Sequence, residues 1–147
     1  MKDNNKGIAL LTTLLLSVLA ITIVAAFFFV LTRGTTISKQ KKIYTSALEA
    51  AKGVSFVILN KIKEGTLECK NGTTVVLCTD TGLMYPADIN LNIDGKDFSN
   101  LGDYTITAKL LSYKATATSE IFSVKVISIP TNMDKTKAEI TFVVEIQ

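Results

Sequence analysis

The chain has 147 residues, enough for one domain or for one domain with an appendage. Hydrophobic residues make up 48% and charged residues 20%, which excludes a disordered chain, and a mean hydropathy of +0.35 is high for a soluble one. The net charge is +3, and the absence of His together with only two Cys excludes Ser-His-Asp and Cys-His nucleophiles, His-bearing metal sites and four-thiolate metal centres.

Residues 1–7, MKDNNKG, form a short polar leader. The next 25 residues, Ile8 to Thr32, contain no charge, Gly or Pro. As a helix they measure about 37 Å, enough to cross a hydrocarbon core about 30 Å thick with some tilt. A cleaved secretory signal is the first competitor, since Val24-Ala25-Ala26 satisfies a small-residue rule and Lys2 and Lys6 give a basic start. Cleavage there would leave Phe27, Phe28 and Phe29 at a new terminus, so a retained membrane segment is expected instead. Within the span Ala9, Thr13 and Ser17 recur every four residues, a small-residue stripe that lets helices approach closely. The plainer reading of that stripe is tolerance of small residues facing lipid.

From Arg33 to Lys63 the helical period continues with a polar side. Ile37, Tyr44, Ala47, Leu48, Ala51, Val54, Ile58 and Ile62 form one apolar stripe. Gly34 and Gly53 are the weak points, each costing about 1 kcal/mol against Ala. A single helix from Ile8 to about Lys63 would be about 80 Å long, which suggests packing against other copies or chains. Residues 33–63 hold seven basic residues and one acid, a net of +6, whereas residues 64–147 carry a net of −4. Arg33, Lys39, Lys41 and Lys42 suit anionic head groups or acidic neighbours, or a plain solvated face.

After Lys63 the period changes to two. Tyr104–Leu110, Phe122–Val126 and Ala138–Ile146 read as half-buried strands, linked through Ser112–Ser119 and Pro130–Lys135. They are expected to form an antiparallel meander packed on the helix stripe, which makes the fold class α+β. Residues 66–78 read as a hairpin turning at Asn71-Gly72, which sets Cys69 opposite Thr74. In that register a Cys69–Cys78 disulfide requires Cys78 to curl back through Thr79–Gly82; two buried thiols are the alternative. Asp88, Asn90, Asn92, Asp94 and Gly95 partly resemble a calcium loop, but the twelfth position from Asn90 is Leu101 and Ile89, Leu91 and Ile93 alternate. A strand ending in an Asp94-Gly95 turn is the expected structure. The net −4 of residues 64–147 argues against nucleic acid as a partner, Lys109, Lys114 and Lys125 being the local basic residues. With no nucleophile–base pair, phosphate loop or metal constellation, an enzyme is not expected, nor any cofactor or metal.

Residues 1–55 resemble type IV pilin-like proteins. The likeness lies in the leader ending at Gly7, the run Ile8-Ala9-Leu10-Leu11, the long apolar helix and its amphipathic continuation. Ser46-Ala47-Leu48-Glu49-Ala50-Ala51-Lys52-Gly53 is similar to a helix segment of PilX-type minor pilins. The resemblance implies cleavage between Gly7 and Ile8 by a prepilin peptidase and methylation of the new amine. It also implies filament-core packing through Ala9, Thr12, Thr13 and Ser17. Gly7 offers the peptidase a backbone without a side chain. Two features depart from the family pattern. Thr12 stands where major pilins carry Glu to meet a neighbour's terminal amine, which suggests a tip or initiating subunit. Phe29 stands at the usual mid-helix Pro, so the helix is expected to stay intact.

The expected organisation is therefore a leader (1–7), a transmembrane or filament-core helix (8–32), a stalk helix (33–63) and an antiparallel head (64–147). The head is expected outside the cytoplasm, anchored in the inner membrane or carried into a filament, with other pilins or pseudopilins as partners. The positive-inside count points the other way, with Lys2 and Lys6 before the span and Arg33, Lys39, Lys41 and Lys42 after it. The alternative function is a single-pass anchored binding or assembly factor that does not polymerise.

Overall fold

The computed structural model describes residues 4–131 and 136–147, residues 4–7 by their backbone. Lys2 and Asp3 of the leader, and Asn132–Lys135 of the last link, lie outside the described residues. The chain divides into two units, Met1–Lys41 and Lys42–Gln147. One helix, α1 (Asn4–Lys63), belongs to both and passes Gly34, Gly53 and Phe29 without interruption. No Pro removes an amide from it, and the many Leu, Ala and Lys residues favour helix strongly enough to carry the two glycines.

In the first unit every residue from Ile8 to Lys41 is exposed. This portion of α1 is long and apolar enough to cross a membrane. Arg33 places its guanidinium 4.9 Å from the centre of the Phe29 ring, where the negative ring face attracts the cation.

The second unit joins the end of α1 to an antiparallel sheet. Its strands are β1 (Glu68–Asn71), β2 (Thr74–Leu77), β3 (Ala87–Ile89), β4 (Asn92–Ile93), β5 (Lys96–Asp97), β6 (Asn100–Leu101), β7 (Tyr104–Ala115), β8 (Glu120–Pro130) and β9 (Ala138–Ile146). The sheet order is β2-β1-β3-β7-β8-β9, with β6 also on β7, while β4 and β5 form a separate ribbon. The fold class is thus α+β, and β7-β8-β9 is a meander that the first three strands extend.

The core lies between the two layers. Ala47, Ala51, Val54, Ile58 and Ile62, spaced by three or four residues, are buried on one face of α1. Ala51, Val54, Ile58 and Ile62 share a cluster with Ile106, Leu110, Phe122, Val124 and Val126 of the sheet. The apolar stripe is shorter than its period suggests, because Ile37 and Tyr44 are exposed and Leu48 is half-buried. Ile37 falls within the first unit, where no sheet residue belongs.

Three local features differ from the sequence expectation. The hairpin turns at Gly72-Thr73, one residue later than Asn71-Gly72, so Asn71 pairs with Thr74 and Cys69 with Val76. Gly72 has φ 63° and Asn71 is not in the left-handed region, so the first turn position takes the residue without a Cβ. β7 runs on to Ala115 instead of ending at Leu110, because a bulge between Leu110 and Ser112 reverses the side-chain phase. Past the bulge Tyr113 faces Phe122, ring centres 4.9 Å apart, and Ser112–Ala115 belong to the strand and not to the link. The segment 87–93 keeps its alternation, with Ile89, Leu91 and Ile93 buried, but its ladder is broken into β3 and β4. The β4–β5 turn is Asp94-Gly95, with φ of 52° and 75°, as a two-residue turn of type I′ requires.

Ser128 lies fully buried on β8 between Ile106 and Ala138, and its hydroxyl has no partner among the described residues. An unsatisfied buried hydroxyl costs about 1–3 kcal/mol. Ser128→Ala should therefore leave stability unchanged or raise it by about 1 kcal/mol, read as a higher midpoint in thermal unfolding.

On the outer face Lys109 and Lys125 stand directly opposite each other. Their repulsion is relieved on both sides, by Asp88 at 3.5 Å from Lys109 and by Glu139 at 2.6 Å from Lys125. The Lys125 hydrogen bond, more than any other contact, holds Glu139 below its ordinary value of 4.5. A depressed folded value means that the unfolded chain takes up the proton first as pH falls. The contribution is complete above about pH 5 and fades as pH drops through the lowered value. Glu139→Gln should flatten this part of the melting-temperature profile below pH 5 and leave the rest unchanged.

Candidate functional site

The residues singled out for processing and packing lie at the start of α1. Gly7 and Ile8 are both helical, and the Ile8 side chain is 62% exposed. Thr12, Thr13 and Ser17 lie three, four and eight positions after Ala9, which sets the four on one side of the helix. Each hydroxyl in this group already has an acceptor on its own helix. Thr12 Oγ1 donates to the Ala9 carbonyl at 2.9 Å, Thr13 Oγ1 to Leu10 at 2.9 Å and Ser17 Oγ to Leu14 at 2.8 Å. Thr22 and Thr32 bond back in the same way. The span therefore presents methyl and methylene groups outward, and Thr12 offers a neighbouring amine no charge.

Cys69 and Cys78 are joined by a disulfide, with Cα atoms 4.9 Å apart. Cys69 sits on β1 opposite Val76, and the chain bends just after Leu77, where the Cys78 amide donates to the Leu67 carbonyl at 2.9 Å. That hydrogen bond continues the ladder by one pair, so Cys78 lies opposite Leu67, two residues beyond Val76 on the same face and diagonal to Cys69. The disulfide closes the open end of the β1–β2 hairpin, and both of its residues are fully buried.

The residues that partly resemble a calcium loop are engaged elsewhere. Asp88 faces Lys109, and Asp94 accepts from Lys61 at 3.2 Å. Asn90 Nδ2 donates to Glu68 at 2.9 Å. Among the described residues no three metal-ligating side chains gather. Lys61 also meets Glu64 at 2.9 Å, and these two partners, Glu64 first, raise its pKa. The pair of ion contacts fastens the last turn of α1 to the β4–β5 ribbon.

Two surfaces of the second unit escaped the sequence reading. One is an apolar groove of about 340 Å³ between Phe56 and Leu59 of α1 and Phe142 and Val144 of β9, the edge strand. Its sequence signal is the run Phe56-Val57-Ile58-Leu59, too apolar for a helix with a single buried face. The other is a polar cleft where β3 and β7 part, whose residues come from four separate segments and so leave no local motif. Comparison with protein-family models, with characterised proteins and with solved structures finds no match for this chain.

Proposed function

We propose that this chain is a structural protein, a minor pilin or pseudopilin that starts or caps a filament of a type IV pilus, DNA-uptake or type II secretion machine. One observation carries the reading: a single helix is wholly exposed and apolar in its first part and supplies one layer of a protein core in its last part. An exposed apolar helix needs lipid or other helices around it. Its leader, with Lys2, Lys6 and Gly7 before Ile8, adds the reading's second support. Removal of that leader turns a charged end into an apolar one that can leave lipid for a helix bundle. The Cys69–Cys78 disulfide favours a head outside the cytoplasm, against the positive-inside count, because such bonds persist in oxidising compartments.

The partners in this reading are other pilins through residues 8–63, the prepilin peptidase at Gly7-Ile8 and the inner membrane. A second reading, an anchored assembly factor that never polymerises, is favoured by Thr12, whose hydroxyl is already bonded and which lacks a charge for a neighbour's amine. Mass spectrometry of the membrane-extracted protein separates them. Processing gives a chain that begins at Ile8 with a methylated amine; a chain beginning at Met1 or Phe27 refutes it. Gly7→Arg should abolish maturation, seen as full-length protein on the same spectra, and normal filament assembly by that variant would count against the proposal.

A further inference from the structure

The ladder between β3 and β7 ends at Asp88–Lys109. Beyond it the two strands acquire different neighbours. Asn90 turns to β1, its amide donating to Glu68 at 2.9 Å, while the Ile106 amide of β7 donates to Ser99 at 2.7 Å. A cleft of about 670 Å³ opens in the fork, within the range of about 300–1,000 Å³ usual for small-molecule sites.

Its floor is a row across three strands, Lys70, Asp88 and Lys109, paired in register. The opposite rim carries Asn92, Asp97 and Ser99. Asp97 is fixed in place by the Ser99 hydroxyl at 2.6 Å and the Ser99 amide at 2.8 Å. Those two bonds, the hydroxyl first, hold its carboxyl below the ordinary range, and Lys70 adds a smaller pull. Two ammonium groups and two carboxylates thus share the cleft, and their net charge is zero.

This composition selects its ligand by exclusion. Neither an anion nor a cation gains overall, because each meets as many like as opposite charges. Among the described residues no aromatic side chain lines the cleft, so a nucleobase or other flat ring has nothing to stack on. A hydroxyl, in contrast, donates to a carboxylate and accepts from an ammonium at the same time. A row of hydroxyls matches an alternating row of such groups.

We propose that the cleft binds a short, neutral saccharide through Lys70, Asp88, Asn92, Asp97, Thr107 and Lys109. The site lies wholly within Lys42–Gln147 and does not depend on the filament reading. A head that contacts glycan would give its carrier a surface to hold.

The test uses the full chain in lipid nanodiscs prepared without sugar-based detergent or glycolipid. Saturation-transfer NMR is run with maltotriose, chitotriose and lactose and separately with sialyllactose, and inorganic phosphate, which has no non-exchanging proton, is titrated by calorimetry. Saturable transfer to a neutral sugar is expected, weakened at least about tenfold by Thr107→Trp, which fills the cleft from an exposed strand position. Asp88→Ala removes an acceptor without touching the core and should weaken the same sugar. The proposal is overturned if none of the three neutral sugars binds, or if both variants bind as the parent does. Binding of sialyllactose or phosphate alone would also overturn it, by making the cleft an anion site of Lys70 and Lys109. Each of these results is separable from the N-terminal mass, which reports on processing alone.

Discussion

Ile58→Ala should lower the unfolding free energy by about 2–5 kcal/mol, the largest single effect expected in this chain. Ile58 is fully buried at the centre of the helix face that covers the sheet, with Val54 before it and Ile62 after it. Truncation removes transfer free energy and leaves a cavity that a sheet anchored by long β7–β8 and β8–β9 ladders does not collapse to fill. Phe56→Ala supplies the internal control. Phe56 is the larger side chain and lies two residues away, yet it is 66% exposed, so its loss should stay within about 0.5 kcal/mol. The chain has no Trp, so denaturant unfolding is best followed through near-ultraviolet dichroism of its tyrosines. Equal effects of the two substitutions would mean that α1 does not cover the sheet by the face described.

The second large effect is loss of the Cys69–Cys78 bond, expected to cost about 2–3 kcal/mol. Nine positions separate the two residues, a short loop, and the chain-entropy gain is accordingly at the lower end for disulfides. Double replacement by Ala is the cleaner variant, because a single Ser would bury an unpaired hydroxyl beside the core. Reductant should lower the denaturation midpoint of the parent and leave that of the double variant unmoved. A parent indifferent to reductant would show that the hairpin is held by its ladder alone.

The long helix and the strands β7, β8 and β9 were legible because each has a sustained period that one buried face enforces. Val54, Ile58 and Ile62 recur at helical spacing, and Phe122, Val124 and Val126 alternate, so local pattern and tertiary contact agree. Where the sequence misled, a single residue changed the phase. The bulge before Ser112 hides the far half of β7, since its inward side chains switch from even to odd numbers. Placement of the β1–β2 turn one residue late follows from Gly72 taking the left-handed position that Asn71-Gly72 suggested for both. The position of Gly7, Ile8, Ala9, Thr12, Thr13 and Ser17 on one helix is local geometry and was legible. In contrast, the polar cleft joins residues from positions 70 to 109: the sheet order sets Lys70, Asp88 and Lys109 side by side, and the separate β4–β5 ribbon adds Asn92 and Asp97, neither of which a local pattern shows.

Every hydroxyl between Ile8 and Thr32 returns to a carbonyl of its own helix. Such a segment carries its polar accounts closed wherever it goes. Leaving a bilayer for any greasy bundle breaks no donor–acceptor pair, and neither does the return trip. What such a move gains or loses is then packing alone: how closely the methyl and methylene groups of the new surroundings fit this helix, compared with lipid chains.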